Sequence, residues 1–294
     1  MTALQSLLVG TDFSKDSSQA LARALTLARE HGCRSVTLVH AQEPDLMGAL
    51  KAMLGNAGAN VDQVRKAMQE RLDEVASANL GDFAGTIDKR IIEGRALDVL
   101  AELAPAHDAV VVGARGVHQI RERLLGTLPQ RLLGRIDRPL LVVREAAREA
   151  YERVVVGTDF SPDAERALAL AAAVAPAAAL HVVHAFQHSQ ELAMLYANVH
   201  SDLIETSRSK ARQRSEAELL RFVGGSGLPR GRVTVWVESG DPAMALRMRA
   251  AAVEAQLIVV GKRGTTQAED LIFGSVVQRL LAETACDLLV TPGS

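Results

Sequence analysis

Short apolar runs alternate with longer amphipathic stretches along the whole chain. "SLLVG" at 6–10, "SVTLVHA" at 35–41, "AVVVG" at 109–113 and "PLLVV" at 139–143 are nearly continuous in aliphatic side chains. The stretch "SQALARALTLARE" at 18–30 instead repeats its apolar residues every three or four positions. Runs of the first kind suit strands buried on both faces, and the second kind suits helices lying over them. "TIDKRIIE" at 86–93 supplies a third strand, and Val61–Asn79 a polar helix before it. Boundary residues agree with this reading. Ser14 can cap the first helix, with Asp16 in its first turn, where negative charge is favoured.

The same order of elements occurs twice. "VGTDFS" stands at 9–14 and again at 156–161, "LVHA" at 38–41 pairs with "VVHA" at 182–185, and "AVVVG" pairs with "LIVVG" at 257–261. "RVTVWVE" at 232–238 and "DLLVT" at 287–291 take the places of the third and fifth strands, and Ser201–Val223 that of the polar helix. In the second half Ser161 precedes Pro162, a cap residue before proline at the first helical position. The chain reads as a tandem duplication, 1–147 and 148–294, joined near "REAAREAYER" at 144–153. Alternating strands and helices in each half predict α/β domains with parallel sheets covered on both faces.

Composition narrows the function. A length of 294 residues fits two domains of about 150. A net charge of -2 disfavours a dedicated nucleic-acid binder, which carries a basic excess. Cys33 and Cys286 lie too far apart for a metal spacing or a disulfide framework and are expected to act as small apolar residues. The first residues show no export signal and no apolar run is long enough for a bilayer, so a cytoplasmic protein with no membrane partner is expected.

The candidate chemistry lies in glycines. "GARGVHQIRERLLGT" at 113–127 spaces Gly113, Gly116 and Gly126 by two and then nine residues, with Thr127 following. "GKRGTTQAEDLIFGS" at 261–275 repeats that spacing with Gly261, Gly264, Gly274 and Ser275. One such match arises by chance in roughly one chain in a hundred, and two at matching places are far rarer. Gly113 and Gly261 end the fourth strand of each half, and Gly10 and Gly157 end the first, with Asp12 and Asp159 two residues on. If first and fourth strands are neighbours, both loops line one crevice at a topological switch point. Glycine admits close backbone approach and positive φ, and a helix N-terminus after Gly126 or Gly274 would face an anion. A nucleotide fits this set. The bland readings are that the aspartates organise turns, the hydroxyls cap helices, and His40 and His184 are packed rather than catalytic.

These residues resemble the universal stress protein family, in its tandem form. The spacing Gly, two residues, Gly, nine residues, Gly, Ser or Thr is the family's ATP-binding pattern, and the first-strand "TDFS" and second-strand "HA" extend the likeness over nearly all of the chain. The resemblance implies doubly wound domains, each with a five-stranded parallel sheet of order 3-2-1-4-5. It implies an adenine nucleotide, ATP, with Mg2+ an optional companion and no metal ligands assigned. Asp12 and Asp159 match the position beside the nucleoside; Ala41 and Ala185 match the residue whose backbone meets adenine. Val112, Gly113 and Gly116, with Val260, Gly261 and Gly264, match the ribose and phosphate segment. Gly126, Thr127, Gly274 and Ser275 match the terminal phosphate contacts. It also implies that the halves pair through their fifth strands as an intramolecular pseudo-dimer, with a further homodimer open. A nucleotide-dependent regulator or adaptor in stress response is the leading expectation; a slow ATP hydrolase, with Glu122 and Asp270 as weak candidates, and a scaffold that uses no nucleotide are the alternatives. No Walker sequence accompanies either glycine motif.

Overall fold

The computed structural model describes residues 4–43, 61–116, 128–145, 149–186, 201–264 and 273–293. They fall in two compact units, Thr2–Ala150 and Tyr151–Ser294.

The first unit runs β1 (Ser6–Thr11), α1 (Lys15–His31), β2 (Ser35–Gln42), α2 (Val61–Leu80), β3 (Thr86–Glu93), α3 (Ala96–Leu103), β4 (Ala109–Gly113), α4 (Leu128–Leu133) and β5 (Leu140–Val143). Its strands are parallel in the order 3-2-1-4-5. The chain winds outward from β1 to β3, then resumes on the other side of β1 at β4. The direction therefore reverses between β1 and β4, where Val9 faces Val111. Helices cover both faces. On one, α1 packs on β1, β4 and β5; α3 packs on β1 and β2. Leu7, Leu8, Val9, Val110 and Val111 are fully buried, as expected for strands roofed on both sides. The edge strand β3 is half-exposed and carries Lys89 and Arg90 in ion pairs with Asp73 and Asp88. Charge on an edge strand discourages stray pairing.

The second unit repeats this plan with β6 (Arg153–Gly157), α5 (Pro162–Val174), β7 (Ala179–Phe186), α6 (Ser201–Gly225), β8 (Val233–Ser239), α7 (Pro242–Ala252), β9 (Leu257–Gly261), α8 (Ser275–Glu283) and β10 (Asp287–Thr291). Its parallel order, 8-7-6-9-10, is that of the first unit renumbered.

Local signals explain where the helices begin. Ser14 Oγ accepts from Ser17 N at 3.1 Å and Ser161 Oγ from Ala164 N at 3.3 Å, each cap contributing about 1 kcal/mol. Gly32, at φ 63°, closes α1 in the left-handed conformation. Cys33 and Cys286 are buried and unbridged. Burial pushes the Cys33 thiol up to about 11, and its Sγ donates to the Leu4 carbonyl at 3.1 Å. Among the described residues no helix is long and apolar enough to cross a membrane, and no cluster of three or more His, Cys, Asp or Glu could hold a metal.

Candidate functional site

At the carboxyl ends of β1 and β6 the two units build the same tight turn. Asp12 Oδ1 accepts from Ser14 N at 3.0 Å; Asp159 Oδ1 accepts from Ser161 N at 3.1 Å and from Ser161 Oγ at 2.6 Å. Each aspartate thus organises the turn that launches the next helix, which was the bland expectation. Its other oxygen faces the glycine motif. A Cβ added at Gly116 would lie 2.8 Å from Asp12 Oδ2, and one at Gly264 would lie 2.6 Å from Asp159 Oδ2. The second glycine of each motif is therefore needed to admit a carboxylate.

The first glycine has a different reason. A Cβ at Gly113 would lie 2.7 Å from the Asp16 carbonyl carbon and 2.9 Å from Ser17 N. At Gly261 it would lie 2.7 Å from Asp163 Cβ. The fourth strand of each unit ends against the first turn of the helix that follows the first strand, α1 or α5, and only a missing side chain lets the two meet. None of Gly113, Gly116, Gly261, Gly264 or Gly274 adopts positive φ. Of the two allowances that glycine offers, the first two glycines of each motif use close approach and not positive φ. Positive φ falls instead on Phe13 (62°) and Phe160 (65°), the third residues of the two "TDF" turns. A bulky residue there stores on the order of 1–3 kcal/mol of strain. Each ring stacks on a histidine at 4.3 Å, Phe13 on His40 and Phe160 on His184. The Nδ1 of His40 donates to the Thr11 carbonyl and that of His184 to the Thr158 carbonyl, both at 2.9 Å. The histidines tie β1 to β2 and β6 to β7, a packing role. Sequence reading named the histidines but missed the strained phenylalanines.

In the second unit these pieces surround one cavity of about 1010 Å³. Asp159, Ala185, Val260, Gly261, Gly264, Gly274 and Ser275 all line it, so the structure brings together every second-half position that the resemblance assigned to the nucleotide. Val260 is a core residue at 4% exposure, as is Val112 at 2% in the first unit. Gly274 is the N-cap of α8 with no side-chain cap bond, and Ser275 opens the helix. The serine hydroxyl is thus not the cap, and among the described residues no side chain caps the first turn of α8, whose N–H groups can face a ligand. Gly274 N donates to the Lys262 carbonyl at 3.0 Å, holding the helix start against the "GKRG" turn. Asp163, buried at the start of α5, pins that turn by accepting from Arg263 N at 3.1 Å.

The cavity also holds residues not singled out. Lys262 is 7% exposed and borders it, as do Arg279 and Asp241. Lys262 was visible as one of two cations between the first two glycines of the second motif. Asp241 was visible as an acid before Pro242, a helix-start signal. Arg279 carried no signal beyond its helix.

In the first unit, Asp12, Ala41, Val112, Gly113 and Gly116 occupy the corresponding places at the ends of β1, β2 and β4. Gly126 and Thr127 lie outside the described residues, as do Glu122 and Asp270, the two hydrolase candidates.

The model of the universal stress protein family matches residues 4–144 and 150–292. A universal stress protein of Mycobacterium tuberculosis strain H37Rv is 27% identical over 97% of this chain and 94% of its own. One from Thermus aquaticus is 30% identical over 48% of this chain and 98% of its own, so a single-domain relative aligns with half of the duplication. The crystal structure of a universal stress protein from Archaeoglobus fulgidus covers 99% of this chain and 98% of its own, with a TM-score of 0.72 at 20% identity, a likeness of fold.

Proposed function

From its membership of the universal stress protein family, in which it carries two tandem domains, we propose that this chain is an ATP-binding regulator or adaptor of the stress response, acting in the cytoplasm. Each half, 1–147 and 148–294, is a nucleotide-binding domain in this reading. Asp12 and Asp159 lie beside the nucleoside and Ala41 and Ala185 offer backbone to adenine. Val112, Gly113 and Gly116, with Val260, Gly261 and Gly264, follow the ribose and phosphates. Gly126, Thr127, Gly274 and Ser275 meet the terminal phosphates, with Mg2+ an optional companion of the phosphate chain.

One observation carries the reading. The second-half positions, distant in sequence, border a single cavity of about 1010 Å³ beside an N-terminus whose cap position is a glycine. Pockets for ligands of drug size or larger run from about 300 to 1,000 Å³. An open helix start favours an anion, and Lys262, Arg263 and Arg279 add positive charge. The tandem domains also suit an intramolecular pair through Leu140–Val143 and Leu288–Thr291, with a homodimer of whole chains as a further step.

The test is direct. Protein purified gently and denatured should release an adenine nucleotide, and the stripped chain should rebind ATP with micromolar affinity by calorimetry. Release of no nucleotide together with no heat on titration would sink the assignment.

A further inference from the structure

Two helix starts face the cavity of the second unit, and they are finished differently. At α8 the N-cap is Gly274 and carries no side chain. At α7 the N-cap is Asp241, whose Oδ1 accepts from Met244 N at 2.9 Å. The anion place at α7 is thus filled by the protein's own carboxylate. The other oxygen of Asp241 holds Arg279 of α8 in an ion pair, and Arg279 Nε lies 3.9 Å from Glu283 Oε1. Both Asp241 and Arg279 border the cavity. Arg279 stands four positions after Ser275, one helical turn on, so it projects from the side of α8 that carries Ser275.

We propose that Arg279 is a specificity-determining residue of the second crevice, which reads the length of the ligand's phosphate chain, and that Asp241 sets the threshold for recruiting it. This rests on the nucleotide reading given above. The Asp241–Arg279 pair is substantially open to water, with side chains 37% and 44% exposed. Such pairs contribute little, so a phosphate with more charge than one carboxylate can displace Asp241 at small expense. A single phosphate, following Gly261 and Gly264, stops short of the start of α8 and leaves the pair closed. A longer chain extends toward the guanidinium, which can grip two phosphate oxygens in its fork. The first unit lacks this arrangement. Arg95, the N-cap of α3 with no side-chain cap bond, follows Gly94 as Asp241 follows Gly240. A cation there imposes no threshold on Arg131, the counterpart of Arg279 by its spacing from the last motif glycine.

The test is calorimetric binding of AMP, ADP and ATP to the full chain, unsubstituted and carrying Asp241→Asn, Arg279→Gln or both. Asparagine still caps α7, so the fold is kept. Asp241→Asn should tighten ATP about three- to fivefold and AMP less than about twofold. Arg279→Gln should weaken ATP about tenfold, leave AMP within about twofold, and abolish the gain from Asp241→Asn. An ATP-to-AMP ratio equal in all four chains overturns this proposal and leaves the crevice assignment standing. Absence of any nucleotide binding by the unsubstituted chain overturns both.

Discussion

The two crevices agree where the chain must fit itself and differ where only a ligand would notice. Both units share the aspartate turn, the serine cap, the strained phenylalanine, the histidine bond to the threonine carbonyl, and the first two motif glycines. Every one of these is fixed by a contact inside its own unit. The rim is where the copies diverge: Arg95 against Asp241, and Ala114 against Lys262. A repeated motif therefore reports first on packing. At these matching positions the second unit carries Asp241, Lys262 and Arg279 and the first Arg95, Ala114 and Arg131, and such differences are what a ligand would read.

The largest expected effect separates the two glycines that end β4 and β9. Gly113→Ala should destabilise the first unit by about 2–3 kcal/mol, because the new Cβ meets backbone atoms that cannot swing aside. At Gly261 only Asp163 Cβ, which its backbone holds in place, lies nearer than 3.0 Å, with backbone atoms at 3.0 and 3.2 Å, so Gly261→Ala should cost the second unit somewhat less, about 1–2 kcal/mol. Amide hydrogen exchange, which resolves each half, would measure both. Equal losses, or none, would show that the helices relax away from the strand ends.

A smaller effect concerns affinity. Pro129 is buried in the first turn of α4 and has no N–H to offer, whereas Val277 keeps its donor at the matching place in α8. One hydrogen bond contributes about 1 kcal/mol, or about fivefold. With one crevice disabled at a time by Gly116→Val or Gly264→Val, the surviving second crevice should bind ATP about fivefold more tightly than the surviving first. Tighter binding by the first, growing as salt falls, would show that charge outweighs the missing donor. Its loop sequence carries Arg121 and Arg123, the second Glu269 and Asp270, all outside the described residues.

The smallest effect is a pH dependence confined to the second unit. His181 occupies the strand position that Thr37 holds in the first. Burial, aided by Arg249 and Arg153, holds the His181 imidazole below its usual 6.5. Trp236 Nε1 donates to His181 Nδ1 at 3.3 Å, a bond that only an unprotonated nitrogen can accept. The unfolded chain thus takes up the proton first. Stability rises with pH from the folded-state value to about 6.5, and is lost as pH falls through that window. Trp236, the single tryptophan, reports unfolding of this half. Its denaturation midpoint should fall between pH 7 and pH 5 and flatten in His181→Thr. An unchanged pH slope in the variant would remove His181 as the cause.

Much of the fold was legible because its signals are local. "AVVVG" and "LIVVG" can hardly be anything but doubly covered strands, and Ser14 and Ser161 announced their helices. The crevice was legible through one inference, that β1 neighbours β4 and β6 neighbours β9, which the pairing supports. The reason for the glycines was not legible. Spacing says that a side chain is forbidden, but only coordinates say whether a ligand, a carboxylate or a helix forbids it. Arg279 was equally hidden, since its meeting with Asp241 joins residues 38 positions apart.

The central claim is that each half holds a nucleotide against its glycine motif. The most direct measurement is calorimetric titration of ATP into the full chain carrying Gly116→Val and Gly264→Val together. Each branched side chain would drive into Asp12 or Asp159 and close its crevice. The account predicts no ATP binding by the double variant, with each single variant retaining one site. Binding by a folded double variant equal to that of the unsubstituted chain would contradict it.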